Sequence, residues 1–145
     1  MRGHKVRAVT RDPNSSQAKS LAKAGATLVT AALEDTGAIT KALERATSLF
    51  AMTVPSGGAH VETRQGIVAA DAAKAADVHL VFTSVASANR QTGIPHFDSK
   101  YEVEKHIAKI GVRATILAPV LFSAELYKRT ERRECTKQLR GGILK

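Results

Sequence analysis

The segment HFDSKYEVEKHIAKI, residues 96–110, holds two pairs of side chains at a spacing that suits chemistry on one helical face. Tyr101 and Lys105 lie four residues apart, and His96 and Lys100 repeat that spacing. Side chains four positions apart on a helix lie one above the other, so either pair places a proton-transferring group beside an amine. The phase of the helix decides between the two pairs.

The apolar side chains of this segment indicate which helical face is buried. One apolar stripe, which must face the sheet, comprises Val103, Ile107 and Ile110. Lys100 lies roughly 50° from the centre of that stripe, whereas Tyr101 and Lys105 lie roughly 150–170° away from it. The pattern predicts that Lys100 points inward and that Tyr101 and Lys105 point to solvent. A lysine that snorkels from the rim of an apolar face is the alternative explanation for Lys100.

Two predicted strands end in polar residues, in the stretches MTVPSGG and VFTSVAS. In an open α/β sheet, ligands bind in the crevice at the carboxyl ends of the strands. The residues expected to line this crevice are Thr53, Val54, Pro55, Thr83 and Ser84. Gly57 and Gly58 either allow backbone amides to approach a phosphate or only form a turn. Polar residues at strand ends are also common without any function, which is the alternative interpretation. The assignment of these residues to a ligand site therefore depends on their lying at the same edge of the sheet as Arg11.

The stretch HKVRAVTRDP, residues 4–13, is typical of a strand that ends at a basic residue before a turn into a helix. In doubly wound sheets, an Arg near the end of the second strand accommodates the 2′-phosphate of NADP. The guanidinium suits a phosphate because its donors form a fixed fork. Arg11 is therefore a candidate phosphate ligand, and a solvated arginine before an Asp-Pro turn is the equally weighted alternative.

Apolar, β-branched runs alternate with helical patterns along the chain. The predicted strands are His4–Thr10, Ala26–Ala31, Ser48–Thr53, Val78–Ser84 and Val112–Ala118. The predicted helices are Ser15–Ala24, Thr36–Arg45, His60–Ala76 and Asp98–Ile110. Asp35 and Asp98 are predicted N-caps, and Gly25 and Gly111 are predicted C-cap glycines. This alternation predicts an α/β fold with a doubly wound parallel sheet, in which the strands VHLVFTS and VRATILA are covered on both faces.

Composition limits the classes of function. The chain of 145 residues is 43% hydrophobic and 4% aromatic, which suits helices packed on a sheet better than an aromatic platform for nucleic acid. The net charge of +9 is concentrated at one end, because residues 127–145 hold seven Lys or Arg and two Asp or Glu. We therefore expect one domain over residues 1–126 and a basic tail over residues 127–145, with no nucleic-acid or membrane binding.

A single cysteine, Cys135, makes neither an internal disulfide nor a cysteine-based metal site. No metal site is predicted. The absence of a signal peptide pattern and of a long apolar run predicts a cytoplasmic protein, or a nuclear one if its role is regulatory.

Three stretches together carry a resemblance to a known family. GHKVRAVTRDP, HFDSKYEVEKHIAKIGV and TILAPVLF resemble the NmrA-like group of atypical short-chain dehydrogenase/reductase proteins, in the expected order from about Gly3 to Leu126. The resemblance implies a Rossmann fold that binds NADP(H). It also implies either reduction of quinones or small phenolic or carbonyl compounds, or a role as a redox sensor or transcriptional co-regulator.

The resemblance further implies roles for individual residues. Arg11 would hold the 2′-phosphate, and Lys100 would match the family's catalytic lysine, which positions ribose and substrate. The adenosine side would be flanked by Thr53, Val54 and Pro55. The nicotinamide ribose and the nicotinamide end would be approached by Thr83, Ser84, Pro119 and Phe122.

The chain also departs from the family pattern. His96 occupies the position where a classical short-chain dehydrogenase has its catalytic Tyr, and as a residue before the helix it is expected to be structural. The motif usually ending in Leu-Arg-Pro here reads Leu117-Ala118-Pro119. The family's first strand and its G-x-x-G-x-x-G turn have no counterpart in the printed sequence.

We therefore expect an incomplete Rossmann-like sheet that lacks the first βα unit. His4–Thr10 loses its pairing partner on one side, which could leave two half-sheets around a gap. Either Val6–Val9 pairs directly with the strand Ser48–Thr53, or an unpaired strand edge remains for a protein partner or a second copy. Affinity for NADP should be weakened, because the pyrophosphate loses its helix N-terminus. The alternatives are a reductase, a non-catalytic regulatory module acting through protein partners, and an incomplete product without independent function.

Overall fold

The computed structural model describes residues 3–53, 55–90 and 93–119, with only the backbone of Pro55. The strands are β1 (Arg7–Thr10), β2 (Thr27–Thr30), β3 (Ser48–Met52), β4 (His79–Thr83) and β5 (Ala114–Leu117). The helices are α1 (Ser16–Lys23), α2 (Thr36–Ala42), α3 (Ala59–Ala75) and α4 (Pro95–Ile110), and short 3₁₀ turns cover Pro55–Gly57 and Ala88–Arg90. Every predicted strand and helix is thus present in the predicted order.

The two predicted N-caps have different outcomes. The Asp35 side chain accepts a hydrogen bond from the Ala38 amide at 2.9 Å, so its predicted N-cap role is confirmed. The predicted role of Asp98 is wrong, because α4 begins at Pro95 with Ile94 as the N-cap. Proline fits the first helical position, where the missing N–H group costs nothing and φ is already helical.

Two glycines end helices in the left-handed region, as predicted. Gly111 caps α4 with φ 62° and Gly25 follows α1 with φ 95°. Both conformations favour glycine because a side chain would be strained there. Each glycine turns the chain directly into the next strand.

The strands form two separate parallel sheets among the described residues. β1 pairs with β2, and β3, β4 and β5 pair in that order. The α/β class and the parallel pairing confirm the predicted fold class. Direct pairing of Val6–Val9 with the third strand does not occur: within the described part of the chain, β1 pairs with β2 alone.

Side-chain contacts join the smaller sheet to the rest of the molecule. The Arg7 guanidinium donates to the carbonyl oxygens of Ala42 and Glu44 at 2.7 and 2.6 Å, at the end of α2. Ala31 belongs to the main hydrophobic core, and Val9 packs against it. The two sheets therefore share one core although their strands do not pair.

Helices α3 and α4 pack closely over one face of the larger sheet. At their closest point a Cβ added to Gly66 would lie within 2.8 Å of Val103 Cγ1, and Val103 is fully buried. The glycine is required here by the close approach of the two helices rather than by its backbone conformation. Leu80 and Phe82 of β4 are also completely buried.

The edge strand β5 is less covered than predicted. Ile116 and Leu117 are 40% and 44% exposed, so the expectation that VRATILA is covered on both faces is wrong within the described residues. Helix α3 packs over β3 and β4, and β5 lies beyond β4 at the edge of the sheet. None of the helices in the described ranges is long and apolar enough to cross a membrane.

Candidate functional site

Lys100 lies in the second turn of α4, and its side chain reaches the carboxyl ends of β3 and β4. Its Nζ donates to the Thr53 carbonyl at 3.0 Å, to Thr53 Oγ1 at 2.7 Å and to the Thr83 carbonyl at 3.1 Å. The residue is only 2% exposed. The predicted inward orientation is confirmed, and the ammonium does not snorkel to solvent.

The opposite face of α4 also agrees with the helix phase. Lys105 Nζ donates to Glu102 at 2.6 Å and lies 5.3 Å from the centre of the Tyr101 ring. The Lys105 side chain is 49% exposed. Lys105 therefore faces outward, as predicted, whereas Tyr101 beside it is half-buried; the pair is not part of the site.

Glu62, on the first turn of α3, is the buried anion that accompanies Lys100. It is fully buried, and both of its oxygens accept hydrogen bonds. Oε1 lies 3.2 Å from Lys100 Nζ and 3.3 Å from Thr53 Oγ1. Oε2 accepts from Ser99 Oγ at 2.6 Å and lies 3.0 Å from His96 Nδ1. These residues, Thr53, Glu62, His96, Ser99 and Lys100, are called the buried cluster below.

The electrostatics of the cluster follow from burial and from its hydrogen bonds. Burial raises the pKa of Glu62, but hydrogen bonds from Ser99 and His96 and the charge of Lys100 outweigh it and hold that pKa below the ordinary 4.5. Glu62 is therefore a carboxylate at neutral pH. Burial lowers the pKa of Lys100 below 10.5, and the Glu62 charge offsets this effect only in part.

The cluster also has an aromatic wall and a free hydroxyl. Lys100 Nζ lies 5.2 Å from the centre of the Phe82 ring, a distance at which the ring face attracts a cation. Ser84 Oγ donates to Glu104 Oε1. Thr83 Oγ1 is buried and has no hydrogen-bond partner among the described residues. The Thr83 hydroxyl is therefore available to a ligand at this edge, and Asp98 Oδ1 is the other buried oxygen without a partner in the described residues.

The structure brings together only some of the predicted site residues. Thr53 and Thr83 share the ammonium of Lys100, and Ser84 follows directly at the end of β4. Pro119 is tied to the same edge through its carbonyl, which accepts from the Ala86 amide at 3.1 Å. Val54 and Phe122 lie outside the described residues, as do the predicted boundary at residue 126 and the basic tail.

Arg11 is not a member of the buried cluster. It is exposed directly after β1, and no hydrogen bond among the described residues links it to the cluster. A hydrogen bond from Gln65, together with the nearby charges of Arg11 and Arg64, holds the pKa of Glu34 below its usual value. Arg11 and Arg64 therefore both lie close enough to the Glu34 carboxylate to stabilise its charge.

His96 lies in the first turn of α4 rather than in a loop before it, which corrects the prediction. Sequence reasoning also missed Glu62. The available signal was helical spacing, because Glu62 precedes the buried small residues Gly66, Ala69 and Ala73 by four, seven and eleven positions. No group of three or more His, Cys, Asp or Glu side chains that could hold a metal ion is found in the described part of the chain.

Comparison with known proteins gives one family and a set of solved structures. The NmrA-like family matches residues 1–139. An NADPH-dependent quinone oxidoreductase from Escherichia coli, solved with NADPH, is 30% identical and superposes with a TM-score of 0.67, covering 77% of this chain and 38% of that one. NmrA, a negative transcriptional regulator, is 25% identical with a TM-score of 0.68, covering 79% of this chain and 37% of that one.

A third solved structure supports the fold alone. The triphenylmethane reductase of Citrobacter sp., solved with NADP(H), is 22% identical with a TM-score of 0.70, and the match covers 83% of this chain and 42% of that one. The chain therefore spans about two fifths of the length of each of these three structures.

Proposed function

Since the chain belongs to the NmrA-like family, we propose that it binds NADP(H) and acts in the reduction of a small carbonyl or quinone. The observation that carries the proposal is the polar edge at the ends of β3 and β4, where Lys100 holds two strand ends together beside the unsatisfied Thr83 hydroxyl. The 30% identity with a quinone oxidoreductase solved with NADPH supports the same function.

The residues present fit a phosphate-bearing dinucleotide at two points. Thr83 Oγ1 is a buried hydroxyl without a partner in the described residues, and Arg11 is an exposed guanidinium at the carboxyl end of β1. In this proposal Arg11 binds the 2′-phosphate, while Thr53, Val54 and Pro55 flank the adenosine. The groups assigned to the nicotinamide side are Thr83, Ser84, Pro119 and Phe122. The cofactor supplies a hydride when bound.

Lys100 acts in this proposal mainly by positioning. Its three N–H donors face four acceptors, namely the Thr53 carbonyl and hydroxyl, the Thr83 carbonyl and Glu62 Oε1. It contacts a ribose hydroxyl only by giving up one of these bonds. Its main effect is to fix the separation of the two strand ends between which a ligand would lie.

A second candidate function is that of a cofactor-responsive regulator without turnover. It is favoured by the complete engagement of Lys100 within the protein and by the likeness to the regulator NmrA. A chain that binds NADPH but does not reduce a substrate would be the regulator and not the reductase.

Thermal melting and NADPH fluorescence titration of the 145-residue chain test the proposal. We expect millimolar NADPH to raise the midpoint, by mass action equivalent to about 2.7 kcal/mol at a hundredfold excess over Kd. NADH should raise it less, because it lacks the 2′-phosphate that Arg11 would bind.

Arg11→Ala should abolish the preference for NADPH over NADH. Arg113→Ala is the matched control, since Arg113 is an exposed arginine that contacts Asp77 at the other end of the sheet. Unchanged melting and fluorescence with both cofactors would refute the proposal. Consumption of NADPH in the presence of a benzoquinone then distinguishes the reductase from the regulator.

A further inference from the structure

A second group of charged side chains lies at the carboxyl ends of β1 and β2. The Ala31 amide donates to the Thr10 carbonyl at 3.1 Å, so the two parallel strands end side by side. Arg11 follows β1 directly, and Glu34 lies in the loop that follows β2. Arg11 and Glu34 therefore extend from the same edge of the smaller sheet.

Helix α3 brings a second arginine to this edge. Gln65 Nε2 donates to Glu34 Oε1 at 2.6 Å, which fixes the second turn of α3 against the loop after β2. Arg64 directly precedes Gln65 and is exposed. The hydrogen bond from Gln65, and then the charges of Arg11 and Arg64, hold the pKa of Glu34 below the ordinary 4.5. Both guanidinium groups thus lie within electrostatic range of one carboxylate.

The donors of these two arginines are uncommitted. In the described part of the chain, neither Arg11 nor Arg64 makes a side-chain hydrogen bond or an ion pair, whereas Arg7 donates to two carbonyls and Arg113 contacts Asp77. A guanidinium presents its N–H groups as a fixed fork, which matches the oxygens of a phosphate. Two free forks at one sheet edge therefore suit a phosphate group better than a single arginine does.

Glu34 is the carboxylate that balances these arginines. The acidic side chains beside it in the two loops have backbone partners of their own, because Asp12 Oδ1 accepts from the Asn14 amide at 2.8 Å and Asp35 Oδ1 caps α2. Glu34 accepts from a side chain of α3 instead and keeps its charge near the two arginines. The fold therefore favours a negative charge at this place even without a ligand.

We propose that Arg64 is a second specificity-determining residue for the cofactor, which binds the 2′-phosphate together with Arg11, and that Glu34 is the internal counter-ion that this phosphate replaces. The inference rests on the proposed function. A phosphate carries more negative charge than a carboxylate and has three acceptor oxygens, so it can accept from both forks at once. Glu34 opposes the phosphate by like-charge repulsion, and the two arginines together outweigh it.

Adenosine 2′,5′-bisphosphate tests this assignment at the adenosine end of the cofactor alone, with adenosine 5′-monophosphate as the matched ligand. By calorimetric titration of the 145-residue chain, Arg64→Ala should weaken binding of the bisphosphate about tenfold and leave the monophosphate unchanged. Glu34→Gln should strengthen bisphosphate binding several-fold, since it removes the repulsion. Both effects should shrink in high salt, because exposed charges are screened.

The control variants replace charges at other places on the surface. Arg113→Ala removes an exposed arginine, and Glu102→Gln removes an exposed carboxylate that pairs with Lys105. Neither should change binding of the bisphosphate. Equal weakening by Arg64→Ala and Arg113→Ala would overturn the proposal, because it would reflect net charge alone. Inorganic phosphate that competes as well as the bisphosphate would also overturn it, since the site would then bind any phosphate.

The titration of Glu34, followed by carboxyl ¹³C chemical shifts, tests the role of the counter-ion. In the free chain, Arg64→Ala should raise the pKa of Glu34 toward its ordinary value, because a nearby positive charge is lost. Saturation of the wild-type chain with the bisphosphate should also raise this pKa, because the phosphate adds negative charge beside the carboxylate. A Glu34 titration that the bisphosphate leaves unchanged would contradict the replacement of the counter-ion.

The two proposals fail in different ways. NADPH binding that Arg11→Ala weakens and Arg64→Ala does not would refute only the inference about Arg64. Absence of NADPH binding in the wild-type chain, with binding of the bisphosphate that still depends on Arg64, would refute the proposed function and support the phosphate site. Absence of binding of both ligands would refute both proposals.

Discussion

Helices α3 and α4 are joined by ionic contacts at two levels that differ in their exposure to water. Near the carboxyl edge of the sheet, Glu62 is fully buried and both of its oxygens are hydrogen-bonded within the buried cluster. Further along the same helices, Asp71 and His106 form a single contact of 2.7 Å, with side chains 42% and 24% exposed. Between them lies the close approach of Gly66 to Val103.

The difference shows which contact specifies the helix pairing. A buried carboxylate without partners is costly, so α3 and α4 must dock in the one register that provides Lys100, Ser99 and His96 together. Water satisfies Asp71 and His106 in any register, so their contact contributes little. The register of α3 against α4 is thus fixed mainly at the end of the helices where the proposed ligand binds.

Lys100→Met should have the largest effect, because it leaves the Glu62 charge buried without its cation. We expect a loss of about 3–5 kcal/mol in the free energy of unfolding, measured by urea denaturation. Lys105→Met is the matched control on the exposed face of α4, where a change within about 0.5 kcal/mol is expected. The double variant Glu62→Gln with Lys100→Met should recover much of the loss. Equal effects of the Lys100 and Lys105 variants would contradict this account of the cluster.

Gly66→Ala should have an intermediate effect at the close approach of the helices. The added methyl group overlaps the stiff, buried side chain of Val103, and overpacking of this kind costs about 1–3 kcal/mol. The better helix propensity of alanine offsets up to about 1 kcal/mol of that cost.

Thermal and urea unfolding measure the net effect, with Gly37→Ala as the control. A Cβ at Gly37 in α2 meets only Asp35 Oδ1 at an ordinary 3.4 Å, so that variant should be neutral or stabilising. Combining Gly66→Ala with Val103→Ala should cost less than the sum of the two single variants. Strict additivity would show that the two side chains do not compete for space.

Asp71→Asn should have the smallest effect, since the contact it weakens is open to solvent. We expect a loss below about 1 kcal/mol at low ionic strength, and a smaller one in high salt. Urea unfolding at two salt concentrations measures both. A loss as large as that of Lys100→Met would remove the distinction between the two levels of contact.

Sequence patterns predicted the elements and the orientation of α4 well. Helix phase is local information: Val103 and Ile107 fix the buried face, and the position of Lys100 follows from them without knowledge of the rest of the fold. The caps at Asp35 and Gly111 are equally local. Asp98 was misplaced because a second local signal, Pro95, starts the helix three residues earlier.

The remaining features depend on contacts between segments distant in the chain. Glu62 looks like an ordinary charged residue of an Ala-rich helix until α4 brings Ser99, His96 and Lys100 to it. Strand periodicity carries no information about pairing partners, so the expectation of two half-sheets came from the missing first βα unit of the family pattern and not from the strands themselves. The exposure of Ile116 and Leu117 likewise depends on where the helices pack rather than on the strand's own sequence.

The burial of Glu62 has a consequence for the order of folding. Three of the groups that pair with its carboxylate, His96, Ser99 and Lys100, lie in α4, which is synthesised after α3. A carboxylate without these partners opposes burial of this end of α3. We therefore expect the packing of α3 on β3 to be completed only when residues 96–100 dock.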